Sequence, residues 1–148
     1  MLKQKDFLQD NTFLTINVDI LTDLNLKYFL SFHQQQQALI TLAVSDRKTS
    51  RYLLFNKYNR LCGWRNKKTG EEKIVIHSPG LVEKAYSGIA IFEPTVFNSI
   101  SFSGKFSVID LYLSLAKENK IAEFDHSNDR FIDVGKPDSV ALAEQMFS

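Results

Sequence analysis

Two aspartates have the type and the placement to hold a metal ion. Asp19 follows the apolar run Phe13-Leu14-Thr15-Ile16, and Asp133 closes Phe131-Ile132 just before Val134-Gly135-Lys136-Pro137. In open α/β sheets, ligands bind beyond the carboxyl ends of strands. Two carboxylates converging there would suit one Mg²⁺, which takes hard oxygen ligands and keeps waters and substrate phosphate oxygens in its shell. Asp also commonly ends a strand and begins a turn. Spacing alone leaves both readings open.

Other reactive side chains are less pointed. His33, His77 and His126 show no metal-ligand spacing, and His33 falls on a helical face that predicts partial burial. Cys62 is the single cysteine, which excludes an internal disulfide and a Cys-based zinc site. Set in an apolar strand, it reads as an inert core residue. Ser87-Gly88 lacks the GxSxG frame of a nucleophile elbow. Arg65-Asn66-Lys67-Lys68 beside Trp64 reads either as a stacking and phosphate patch or as a charged hairpin turn. None of the six glycines falls in GxGxxG or GxxxxGK[ST], so these residues contain no glycine-rich phosphate cradle of either kind.

The elements that must position these residues alternate between strand and helix. After the strand 13–16, Leu26, Phe29, Leu30 and His33 recur at helical spacing, with Asp23 as the expected N-cap and Gln34 to Gln37 closing the helix. Ala38 to Val44 is uncharged and β-branched. A buried run directly after a helix is what a parallel sheet uses. Tyr52–Phe55, Leu61–Trp64 and Ile74–Ile76 read as an antiparallel excursion with polar turns between them. Ser87 to Phe92 predicts a further buried strand, followed by a short helix from Pro94. Val108, Ile109, Tyr112, Leu113 and Ala116 form an amphipathic helix with Ser107 as N-cap. Strands at 121–124 and 131–133 follow, then a helix opening at Pro137. The expected fold is α/β and Rossmann-like, a mixed, mostly parallel sheet flanked by helices with a small antiparallel insertion.

Composition narrows the function. The chain has 148 residues, 44% hydrophobic and 24% charged, which is a globular balance sized for one domain. Lys and Arg number 18 against 17 Asp and Glu, a net charge of +1 that argues against a bulk binder of nucleic acid. No apolar run approaches the roughly 20 residues of a membrane helix, and the first residues lack a signal-peptide core. The expectation is a reduced, cytoplasmic protein.

Five segments in order carry a family likeness: Asn17-Val18-Asp19-Ile20, the stretch from Ser45 to Phe55, Ser87-Gly88-Ile89, Gly104-Lys105-Phe106-Ser107, and Phe131 to Pro137. Together they resemble the sugar-1-phosphate nucleotidyltransferases, in particular mannose-1-phosphate guanylyltransferase-like proteins and N-acetylmuramate-1-phosphate uridylyltransferases. The resemblance implies transfer of a nucleotidyl group from a nucleoside triphosphate to a sugar 1-phosphate, releasing pyrophosphate. It implies that Asp19, in the family's Asn-Gly-Asp position, and Asp133, in its Asp-Val-Gly-Thr-Pro position, hold the Mg²⁺. The backbone at Ser87 and Gly88 would lie against the sugar. Asn17 and Arg51 would contact sugar or phosphate, and Gly135 would allow the turn beside the metal. Val18 stands where the family has Gly, and Lys136 where it has Thr.

The family also begins with a strand leading to a Leu-Ala-Ala-Gly-x-Gly-Thr-Arg segment that grips the triphosphate, and nothing similar precedes Phe13. Residues 1–148 are therefore expected to be one partial domain, inactive alone, with its N-terminal nucleotide-binding strands missing. A sheet edge left exposed at Phe13–Ile16 invites pairing with another chain, so dimerisation or another cover for that edge is expected. The competing expectation is a regulatory or assembly module that kept the fold and lost the chemistry.

Overall fold

The computed structural model describes residues 11–17, 20–98 and 107–133, with no side-chain description for Leu21 or for residues 131–133. Among these residues a seven-stranded sheet carries most of the core. Its strands are β1 (Phe13–Ile16), β3 (Ile40–Ser45), β4 (Arg51–Phe55), β5 (Leu61–Asn66), β6 (Glu72–Ile74), β7 (Val82–Phe92) and β8 (Ile121–Asp125). Strands β2 (Ile20–Thr22) and β9 (Phe131–Asp133) form a separate two-stranded ribbon. The sheet order is β6-β5-β4-β7-β3-β8, with β1 added to β7.

The expectation of a mostly parallel sheet is overturned: β3 with β8 is the parallel pair, and every other pairing in the described residues is antiparallel. The burial of β3 has another cause. All six residues of β3 are buried, and parallel neighbours are one way to bury both faces of a strand. Here two helices cover the faces instead. Ile40, Leu42 and Val44 join the cluster beneath α2 (Val108–Ala116) with Tyr112, Leu113, Leu115 and Ala116. Ala43 points the other way, into a cluster with Leu24 and Phe29 at α1 (Leu26–Gln36). The alternation follows from the two-residue period of a strand.

Helix α1 starts later than the sequence suggests. Asn25 is the N-cap, its side chain accepting from the Tyr28 amide at 3.1 Å, and Gln37 ends the helix in the left-handed conformation. Asp23, the expected cap, instead takes two bonds from Arg130, backbone N–H at 2.6 Å and Nε at 2.7 Å. Phe29 is fully buried and its ring lies 5.0 Å from that of Phe124. Burying a side chain of that size contributes about 1.5–3 kcal/mol. His33 is buried as well, with Nδ1 2.6 Å from Thr41 Oγ1 and Nε2 2.7 Å from Glu93 Oε1. That pins it as a structural group.

Ser107 caps α2 as expected, accepting from the Asp110 amide at 3.1 Å. The short helix after Pro94 is a 3₁₀ turn, Pro94–Asn98. The antiparallel excursion does not stand apart but extends the main sheet through β4 and β7. Its last strand is β6 at 72–74, two residues earlier than the apolar run Ile74–Ile76 suggests. Strand β7 begins at Val82, well before the apolar run that marks it, and β2 was not anticipated. Strand β1 pairs with β7 alone among the described residues, and Leu14 and Ile16 are 40% and 49% exposed. No helix of the described residues is long and apolar enough to cross a membrane. The helix expected from Pro137 lies outside them.

Candidate functional site

The site is built around a break in β7. Against β3, Leu42 pairs with Ala90 and Val44 with Tyr86, so Ser87, Gly88 and Ile89 together face Ala43. Extra residues of this kind bend a strand and re-aim its groups. Gly88 takes φ +77°, a conformation that side chains disfavour, and a Cβ there would stand 2.5 Å from Asn17 Nδ2. Asn17 closes over it: its backbone N–H donates to the Gly88 carbonyl at 3.0 Å. β7 thus carries β4 along its first half and β1 along its second, with this junction beside the end of β1, where Ile16 pairs with Ile89.

A pocket of about 410 Å³ opens beside this junction, at the C-terminal ends of the parallel pair β3 and β8, lined by residues 45–47 and 126–130. His126 belongs to both places. It lines the pocket, and its Nε2 lies 2.6 Å from Ser87 Oγ in the bulge. Its backbone N–H donates to the Val44 carbonyl at 2.9 Å, extending the β3–β8 pairing by one bond. Burial pushes the His126 imidazole below its ordinary value, against the pull of the Asp129, Asp125 and Asp23 carboxylates and with that of Arg47. The neutral ring is the resting form at neutral pH. Arg47 reaches back from the pocket to β7, donating to the Tyr86 carbonyl at 2.8 Å.

Charges gather at the neighbouring stretch of β7. Lys84 Nζ lies 2.6 Å from both Asp46 and Asp125, with its side chain 13% exposed. Burial alone would lower the Lys84 amine, yet its bonds to Asp125 and Asp46 outweigh that and raise it. Glu123, on β8, is pushed up to about 7: burial is the main cause, Lys84 opposes it, and Asp125 and Asp46 add to it. Among the described residues no group of three or more His, Cys, Asp or Glu is arranged to hold a metal ion.

The residues singled out in the sequence divide into three groups. Asn17, Ser87 and Gly88 meet at the bulge, although the Ser87 hydroxyl is turned inward to His126. Asp133 stands opposite Ile20 in the β2–β9 register, while Asp19 and Gly135 lie outside the described residues. Arg51 stands apart, exposed at the start of β4 opposite Asn66. His126 was missed as a site residue. Its partner Ser87 is 39 residues away and no spacing rule joins them. Trp64 and Arg65 sit in β5, where Arg65 pairs with Glu72 and Glu83, so this stretch is the charged hairpin and strand end.

No protein-family model matches the sequence, and no curated protein matches it. Solved structures do. A protein described as a glucose-1-phosphate thymidylyltransferase from Bacillus anthracis, solved with sucrose, superposes with a TM-score of 0.72 at 14% identity, over 96% of this chain and 56% of that one. UTP-bound UGPase from Acinetobacter baumannii gives 0.72 at 12% identity, over 97% of this chain and 53% of that one. HddC from Yersinia pseudotuberculosis gives 0.63 at 16% identity, over 97% and 60%. The chain therefore spans between about half and three-fifths of the length of these neighbours. Within that span the chain shares the mixed α/β fold of these neighbours.

Proposed function

We propose that this chain supplies the sugar-phosphate and metal side of a sugar-1-phosphate nucleotidyltransferase. The observation that carries the reading is the β2–β9 register. It sets Asp133 opposite Ile20, the residue that follows Asp19 in the sequence. In this reading the two aspartates, far apart in sequence, serve one metal site. Their donor chemistry fits Mg²⁺, which favours carboxylate oxygen, and Asp19 and Asp133 are the residues that would hold it. Bound there, the ion would offset phosphate charge as the sugar phosphate oxygen meets the α-phosphorus.

The chain's own part is to bind and orient. Gly88 lets the Asn17 side chain pack against the β7 backbone, where its carboxamide is held in place for a ligand. Gly135 would allow the turn after Asp133. Arg51 and Ser87 enter through the sequence likeness: Arg51 as a phosphate contact, Ser87 through its backbone. The substrates in this reading are a sugar 1-phosphate and a nucleoside triphosphate, with mannose 1-phosphate and GTP or UTP as the first pairs to assay. Association of two copies through the β1 edge belongs to the same proposal, and a single monomer peak in light scattering counts against it.

A second reading is a non-catalytic module with the same fold, in which the Ser87 hydroxyl is turned inward to His126 instead of toward a ligand. Two measurements separate them. Backbone amide NMR of the chain should show weak, Mg²⁺-dependent binding of mannose 1-phosphate around Asn17, Gly88 and Asp133, lost in Asp133→Ala. Pyrophosphate release by the chain alone should be negligible. Robust turnover by the chain alone would refute the need for further residues. No sugar phosphate binding at any Mg²⁺ concentration would favour the non-catalytic module.

A further inference from the structure

The bulge in β7 is braced from behind by two buried polar side chains that the proposed chemistry leaves unused. Ser87 is 1% exposed and His126 3%, with Oγ and Nε2 2.6 Å apart. Their types, with the Asp129 carboxylate 3.9 Å from His126 Nδ1, match those of a hydrolytic triad. The geometry does not. The Ser87 hydroxyl is shut away from any carbonyl carbon, and 3.9 Å is beyond hydrogen-bond length. The bond is a brace and not a nucleophile's trigger.

What it braces can be followed atom by atom. Three β7 residues bulge against the single residue Ala43, an excursion that leaves ordinary ladder bonds unmade and needs another restraint. The Ser87–His126 bond supplies one on the pocket side. His126 is itself tied to β3 through the Val44 carbonyl. With Ser87 fixed, the next peptide presents the Gly88 carbonyl to the Asn17 N–H at 3.0 Å. From Asn17 the chain leads to residue 19.

We propose that Ser87 and His126 form a positioning couple that fixes the Gly88 carbonyl and, through it, the Asn17 backbone at the mouth of the sugar-phosphate site. Neither residue touches substrate. What the couple positions rests on the function proposed above, whereas the mechanical link itself does not.

The test uses the full chain labelled with ¹⁵N and follows amide hydrogen exchange at Asn17, whose bond runs to Gly88. The reference amides are Leu39, bonded to the Lys120 carbonyl at 2.9 Å, and Val75, bonded to the Cys62 carbonyl at 2.8 Å. Ser87→Ala removes one oxygen and little volume, so it serves even where His126→Phe does not fold. Both variants should speed Asn17 exchange at least tenfold while the reference amides stay within twofold. His126→Gln, which can still hydrogen-bond to Ser87, should return Asn17 to within about threefold of the wild type. Equal acceleration at Asn17 and the references would overturn the proposal, because it would mark general loosening. Unchanged Asn17 exchange in Ser87→Ala would overturn it as well. A mannose 1-phosphate titration of the same samples separates the two claims. Wild-type chain that fails to bind it refutes the sugar-phosphate reading, and the exchange result still decides the couple.

Discussion

On β7, Ser87 is linked to His126 in a region that is buried, neutral and set by geometry. Three residues earlier on the same strand, Lys84 joins Asp46 and Asp125 beside Glu123 in a region that is charged and partly open to solvent. Both regions draw on the loop ends of β3 and β8. In the first, one hydrogen bond between uncharged groups closes a gap in a ladder, and its loss strands a buried polar atom. In the second, Coulomb attraction is set against desolvation, and solvent screens the outer carboxylates. Nearness in the fold does not make polar groups energetically alike. The neutral region sets shape, and the charged region sets dependence on salt.

Substitutions can sharpen or break this contrast. Gly88→Ala should cost the most, about 3 kcal/mol, because it combines a positive φ with a Cβ driven against Asn17. Denaturant melts that match wild type would refute the junction. His126→Phe should cost about 2 kcal/mol by orphaning the Ser87 hydroxyl, and added salt should leave that loss unchanged. Glu123→Gln should stabilise the chain by about 1 kcal/mol at pH 8 and by almost nothing at pH 4.5. Lys84→Met should destabilise by roughly 0.5–1 kcal/mol at low salt, shrinking as salt screens the Asp46 and Asp125 carboxylates. A salt-independent loss would place Lys84 with the geometric region after all.

The two regions should also pull pH dependence in opposite directions. The folded Glu123 pKa is raised to about 7, so its protonation favours folding as pH falls from 7 toward 4.5. Burial lowers the folded His126 pKa. The unfolded imidazole gains a proton near pH 6.5 that the folded one refuses, so stability held above that pH is lost as pH falls toward the lowered value. Thermal melts should show the acid-side loss in Glu123→Gln and not in a His126→Gln, Glu123→Gln double variant. Equal acid-side losses in the two would remove His126 as the source.

Much of the local structure was legible in the sequence, because apolar periodicity and caps act within a turn or two. Strand β1, the Ser107 cap and the core of α2 fall where the residues put them. Pairing partners did not show. The burial of β3 signalled covered faces but not what covers them, and two helices give the same signal as parallel neighbours. Asp23 and Asn25 are equally good caps, and the choice was made by Arg130, 107 residues away from Asp23. The charged pair Glu83-Lys84 hid the first half of β7. At the bulge, Asn17 and Gly88 enter through the family resemblance, and the fold sets them against each other. His126 does not, since only the folded sheet brings it to Ser87.

The seam between β3 and β8 has a consequence for how the molecule is assembled. The bond from the Asp46 amide to Ser127 Oγ joins residues 81 apart, whereas β4 and β5 meet across one short turn. Loop-closure entropy makes the hairpin an early structure and the seam a late one. The pocket walls are the two loops at that seam, so they come together only as the last long-range contacts form. A chain arrested before that step would already hold its hairpin and much of its helices, yet lack the walls of its pocket.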